Sequence, residues 1–282
     1  MKDVCLFLPG AAAVVLGATV YQLAEHGIPV RREYYVATSE ELSGLRFLLL
    51  SDLHCNPLIC GNEKVFRRLA SEKPDVILLA GDMISKYGRK ANQRVPAFLK
   101  KLTEIAPVVY SMGNHEEALR TDVPEQFETY QKQIKKMGIL FPDNEVVSLI
   151  LQGKNVDFAG LTLKQKYYYK RKRRSLEKEA TEDLMIPHPE KTVLLAHFPD
   201  YFPEYAALAP LVVSGHIHGG IIRLPFAGGI ISPQLYFPPY TRGCYTEGNS
   251  TMVVSAGIGS HSLPARLFNR VEYCIINTKS RD

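Results

Sequence analysis

Five short strings along this chain bring together side chains that bind metals. They are Asp52-Leu53-His54, Gly81-Asp82, Gly113-Asn114-His115-Glu116, His197 and Gly215-His216-Ile217-His218. Apart from Glu116, the set offers two carboxylates, one carboxamide and five imidazoles. Those oxygens and nitrogens suffice to hold two divalent ions and to leave one histidine over for proton or hydrogen-bond chemistry. The reaction such a set supports is attack of a metal-bound hydroxide on a phosphate ester.

The spacing gives this reading its physical content. In extended chain, residues i and i+2 face the same way. Asp52 and His54 are therefore expected to face one ion together, with Leu53 turned into the core, and His216 and His218 likewise flank Ile217. Asn114 and His115, as neighbours, would point apart. Gly81 lets the backbone turn closely and expose Asp82, whose two oxygens can bridge two cations. Two divalent ions carry four positive charges, against three from two carboxylates and a hydroxide. The centre thus keeps about one positive charge, which attracts a phosphate oxyanion. Mixed carboxylate and imidazole donors suit Mn, Fe or Zn better than Ca or Mg, and manganese is the expected activating ion. No string contains a thiol, which argues against a structural zinc.

The elements that must position these groups are short apolar runs. Phe47–Leu50 leads into Asp52, Val76–Ala80 into Gly81, Val108–Tyr110 into Gly113, Val193–Ala196 into His197, and Leu211–Val213 into Gly215. Runs of this length, rich in Val, Ile and Leu, read as buried strands. Between the first of them lie helical patterns at Asn62–Lys73, Asn92–Ile105 and Asp122–Met137, the last with Asp122 as expected N-cap. Alternation of strand and helix implies an α/β fold, with the strings at the carboxyl ends of strands, where such folds place ligands. Beyond His218 the chain is rich in Gly and Pro, followed by strands at Met252–Ser255 and Glu272–Ile276. No internal repeat is evident.

The chain has 282 residues, 46% of them hydrophobic, enough for a large core. Its net charge of +5 is local. Lys164, Lys166 and Lys170–Arg174 supply the excess, so a general nucleic-acid surface is not expected. The Tyr167–Arg174 segment reads as a solvated loop or a patch for anionic head groups. The five scattered cysteines form no disulfide framework. Val4–Ala24 carries no charge and as a helix would span about 31 Å. Residues 1–24 are therefore expected to be a membrane anchor, with a signal peptide as rival. Residues 25–44 read as a connector and 45–282 as the catalytic domain.

These strings resemble the calcineurin-like metallophosphoesterase superfamily, over about Leu45 to Ile276. Leu50-Ser51-Asp52-Leu53-His54, Gly215–Gly220, Arg223-Leu224-Pro225 and Ser255–Gly259 resemble its bacterial membrane-associated branch, related to enzymes that cleave the UDP-diacylglucosamine pyrophosphate bond. The resemblance implies two packed sheets flanked by helices. It implies a first metal on Asp52, His54, Asp82 and His218, with Asp82 bridging, and a second completed by Asn114, His197 and His216. His115 would contact the phosphate or protonate the leaving oxygen. The implied activity is hydrolysis of a phosphate ester or pyrophosphate, on a lipid-linked or nucleotide-linked substrate at a membrane. A non-catalytic, metal-dependent scaffold is the alternative. Glu116 is expected to orient a histidine from behind.

Overall fold

Along the strand Arg46–Leu50, side chains alternate between two cores. Phe47 and Leu49 face one, while Leu48 and Leu50 face the other, all fully buried. The strand Val76–Ala80 repeats the pattern, with Val76, Leu78 and Ala80 on one side and Ile77 and Leu79 on the other. A sheet apolar on both faces must be covered on both faces. In the computed structural model it is. The described residues are 17, 20, 21, 27–86, 92–168, 176–220, 222–224, 226, 228–230, 238–259 and 266–281.

Among them the strands are β1 Val30–Thr38, β2 Arg46–Leu50, β3 Val76–Ala80, β4 Val108–Ser111, β5 Glu145–Leu151, β6 Lys154–Leu161, β7 Thr192–Ala196, β8 Leu211–Ser214, β9 Arg223–Leu224, β10 Gly228–Gly229, β11 Gly243–Glu247, β12 Ser250–Val254 and β13 Glu272–Ser280. One sheet has the order β1-β13-β2-β3-β4 and the other β11-β12-β8-β7-β6-β5, with β9 and β10 as a separate ribbon. The sheets face each other across a core that includes Phe47, Leu49, Leu78, Phe158, Val193 and Val213. Phe47 and Phe158 meet there edge to face, 6.4 Å between centroids.

Helices Glu63–Ser71, Val95–Thr103 and Pro124–Lys136 cover the outer face of the first sheet through Leu69, Phe98, Leu99, Phe127 and Ile134. The second sheet's outer face carries an aromatic layer with Tyr167, Tyr168, Phe198, Tyr201 and Tyr205. The architecture is mixed α/β, two sheets flanked by helices. Strands β2, β3 and β4 run parallel, as do β6, β7, β8 and β12. Their carboxyl ends therefore gather the loops that carry the metal-binding strings.

Several expectations need correction. The stretch taken as a connector, 25–44, supplies β1, which pairs with β13 over nine positions from Val30–Glu272 to Thr38–Ser280. Its charged residues had hidden an edge strand: Arg31 reaches Glu33 and Glu72, and Arg32 reaches Glu272. The hairpin β5–β6 also went unread, because β5 is half-exposed and its Ile150 faces solvent. Asp122 does not cap the helix at Pro124. It ends the preceding helix, Asn114–Asp122, and Val123 stands at the N-cap. The membrane span is overturned, since no helix among the described residues is long and apolar enough to cross a bilayer. Most of Val4–Ala24 lies outside the described residues, as do Lys170–Arg174.

The inter-sheet core gives a direct prediction. Phe158→Ala leaves a cavity opposite Phe47 and should lower stability by about 3–5 kcal/mol, read from the midpoint of urea unfolding.

Candidate metal centre

The strings do not sit on the strands but in tight turns just beyond them. Asp52, His54, Asp82, His216 and His218 all adopt left-handed backbone conformations, with φ of 52°, 44°, 55°, 69° and 52°. Each such conformation is unfavourable for a residue with a Cβ and clusters at functional sites. The expected i, i+2 alternation therefore does not apply to Asp52 and His54 or to His216 and His218, although Leu53 and Ile217 are buried. Asn114 and His115 likewise are not in extended chain. They open the helix Asn114–Asp122.

Backbone hydrogen bonds stitch these turns together. Asp52 N–H donates to Gly81 O (3.0 Å), His54 N–H to Asp82 O (3.1 Å), Gly215 N–H to His197 O (3.0 Å) and Gly259 N–H to Asp52 O (2.9 Å). Gly81 has φ +84°, and a Cβ there would lie 2.7 Å from both the Gly113 Cα and His197 Nδ1. Only glycine allows the β3 and β4 loops to close this tightly.

Seven of the eight expected residues, all but Asn114, fall into clusters. Three overlapping groups bring ligand atoms within 4.8 Å of one another: Asp52, His54 and His218; His54, Asp82 and His115; Asp82, His197 and His216. His54 Nε2 faces His218 Nε2 at 3.1 Å, and His197 Nε2 faces His216 Nδ1 at 3.2 Å. Asp82 Oδ2 lies 3.2 Å from His197 Nε2 and 3.8 Å from His54 Nε2, between the two imidazole pairs. Donors bound at 2.0–2.2 Å to one cation stand about 3.0–3.5 Å apart, so both imidazole pairs have the separation that a shared ion requires. Asn114 Oδ1 is buried with no hydrogen-bond partner among the described residues, as expected of an oxygen that takes a cation. The donor set fits two metal ions.

Neighbouring groups orient the ligands. His197 Nδ1 is 2.6 Å from Ala80 O, which places a ring proton there and turns Nε2 toward the centre, where loss of its own proton would free a lone pair for a cation. Asp52 accepts from His216 N–H (3.0 Å), and Asp82 Oδ1 from His115 N–H (2.8 Å). Lys86 N–H donates to His115 Nδ1 (2.8 Å), so the neutral ring carries its proton on Nε2, 3.9 Å from Asp82 Oδ2.

Glu116 does not orient a histidine. Its fully buried carboxylate accepts from the N–H groups of Asp82 (2.9 Å), Gly113 (2.9 Å) and Ile84 (3.1 Å) and from the Tyr110 hydroxyl (2.6 Å). It positions the peptide backbone of two metal-binding loops.

Two neighbours carried no usable signal in the sequence. Arg266 is 2% exposed, with Nη2 3.0 Å from His218 Nδ1 and bonded to Gly259 O. Tyr168 lies with its ring centroid 5.2 Å from His216 and 6.1 Å from His197. Arg223 donates to Gly219 O and Thr241 Oγ1 and so braces the glycine loop. Arg242 pairs with Glu272 at 3.6 Å. His188 is on the surface beside Glu190, while His26 and His261 lie outside the described residues.

Burial sets the electrostatics. It pushes the Asp52 carboxyl up to about 6, with His197 opposing and Asp82 reinforcing. Burial also opposes ionisation of Asp82, but His197, His115 and His54 together hold it well below the usual carboxylate range. For His197 burial favours the neutral ring, yet Asp82 and Asp52 raise its pKa to about 9. Without cations, then, the site gathers protons.

A family model described as calcineurin-like phosphoesterase matches residues 45–220. The chain belongs to that family. Among curated relatives it is 28% identical over 260 residues to the uncharacterized metallophosphoesterase YkuE of Bacillus subtilis, covering 84% of this chain and 80% of the relative. It is 26% identical over 229 residues to the phosphodiesterase YaeI of Escherichia coli, covering 76% and 75%. Among solved structures it resembles a putative 5'-nucleotidase of Staphylococcus aureus, at a TM-score of 0.49 and 11% identity, covering 84% of this chain and 54% of that one. As a calcineurin-like phosphoesterase the chain is a metal-dependent phosphoester hydrolase, and the family's centre is a pair of divalent ions.

A metal ion taken up by these groups would displace protons from His197 and Asp52. Affinity for Mn²⁺ should therefore rise with pH between about 6 and about 9. Calorimetry in buffers of different ionisation enthalpy would count the protons released.

Proposed function

We propose that this chain hydrolyses phosphate diesters with two divalent ions, manganese being the activating pair. Asp52, His54, Asp82 and His218 would hold one ion, and Asn114, His197 and His216, again with Asp82, would hold the other. The observation that carries this reading is the placement of Asp82 Oδ2 between two imidazole pairs whose nitrogens face each other at 3.1 and 3.2 Å. The preference for diesters draws support from the phosphodiesterase name of the E. coli relative.

When bound, the ions would supply Lewis acidity and a water of lowered pKa. The protein's own groups do the rest. The two carboxylates are secluded from solvent, Asp52 at 0% and Asp82 at 2% exposure. Water is thereby kept from screening them. His115 presents Nε2–H beside Asp82, because Lys86 N–H occupies Nδ1. That donor can bond a phosphoryl or leaving-group oxygen as charge develops on it. The Glu116 carboxylate holds the Asp82 and Gly113 backbones still, so the ligands need little reorganisation when substrate enters.

The test is hydrolysis of bis-p-nitrophenyl phosphate by manganese-loaded protein, with elemental analysis of the same samples. The wild type should hold two ions per chain and turn over the diester. Loss of an outer partner of a ligand typically costs 10–100-fold, so Asp82→Asn should lower kcat by more than about 100-fold and reduce bound metal. Full activity in that variant would sink the proposal. His115→Gln should keep both ions yet lose about 100-fold in kcat.

A further inference from the structure

The sequence places Tyr167 and Tyr168 next to a basic run, in a segment read there as solvated or lipid-facing. The structure puts both rings inside the molecule, 2% and 1% exposed. The segment is tied to the metal-binding loops, because Gln165 Nε2 donates to Asn114 O at 2.6 Å. Tyr168 is thereby laid against the His197–His216 pair, with Phe198 behind it at 5.5 Å.

The hydroxyls of this aromatic layer differ in one respect. Tyr167 donates to Glu177 (3.0 Å), Tyr201 to Tyr167 O (3.3 Å) and Tyr205 to Phe198 O (3.1 Å). The Tyr168 hydroxyl is buried and has no partner among the described residues. A buried hydroxyl without a partner is unfavourable and calls for an explanation.

Its position supplies the explanation. His115 offers Nε2–H at the His54 end of the centre, where the two rings are 4.7 Å apart. Tyr168 stands at the opposite end, against His197 and His216. A tetrahedral oxyanion seated on the centre presents several oxygens and needs donors on more than one side. Tyr168 is as secluded as the imidazoles it touches, at 1% for His197 and 4% for His216.

We propose that the Tyr168 hydroxyl is a hydrogen-bond donor to a non-bridging oxygen of the substrate phosphoryl group, at the His197–His216 end of the site. This rests on the phosphoesterase reading above and adds to it a binding residue from outside the metal-binding strings.

Tyr168→Phe tests it, since the ring stays against the imidazoles and only the O–H is removed. Manganese per chain should equal that of the wild type. The Kd for inorganic phosphate, by calorimetry on manganese-loaded protein, should rise about tenfold, and the KM for bis-p-nitrophenyl phosphate should rise with it. Because the hydroxyl has no structural partner among the described residues, the metal-free variant should melt no lower than the wild type. An unchanged phosphate Kd and KM would overturn the proposal. So would a lower melting temperature or a loss of manganese, either of which would give the hydroxyl a structural or metal-holding role. Failure of the wild type itself to bind two ions and cleave the diester would instead remove the phosphoesterase reading, and this proposal with it.

Discussion

One buried carboxylate holds the candidate centre in shape. Glu116 accepts four hydrogen bonds, three from peptide N–H groups in the β3 and β4 loops and one from Tyr110, whose oxygen is 3.1 Å from that of Tyr130. Those loops carry Asp82, Asn114 and His115. A lone buried carboxylate is strongly unfavourable unless its lone pairs are filled, and here the backbone fills them. Burial and the nearby Asp82 carboxylate raise its pKa, so the same interaction that fixes the loops places two acidic groups side by side.

That crowding explains the chemistry of the site. Asp52 and Asp82 lie among five imidazoles, with Glu116 behind Asp82, all of them nearly removed from water. The protein can keep this arrangement by gathering protons on histidine, as the raised pKa of His197 indicates. It can equally hold cations, which fit the same gaps between facing nitrogens. Protons and metals thus compete for one set of lone pairs, and the fold's contribution is to keep that set preassembled.

The sheets make the preassembly possible. Parallel strands deliver their carboxyl ends to one edge of each sheet, and the two edges meet at the centre. His197 from the second sheet bonds to Ala80 O of the first, and His216 N–H bonds to Asp52. Much of this could be read from the chain. The runs before Asp52, Asp82, Asn114, His197 and His216 are strands, because each is short, apolar and ended by turn residues. The local geometry of the turns could not be read. Left-handed conformations at Asp52, His54, His216 and His218 occur at residues with no intrinsic preference strong enough to announce them. The role of Glu116 was illegible for a related reason: three of its four partners are backbone amides, which leave no trace in residue types.

By itself, then, the sequence determined which side chains could bind metal and in what order strands would present them. Residue type and short-range periodicity carry that information. Tertiary structure alone decided that β1 completes a sheet by pairing with β13, some 240 positions away. It decided too that Tyr168 and Arg266 border the centre, and that Asp82 stands between two imidazole pairs. These facts depend on contacts between distant segments, whose partners are chosen by packing and hydrogen bonding across the whole chain rather than by any local pattern.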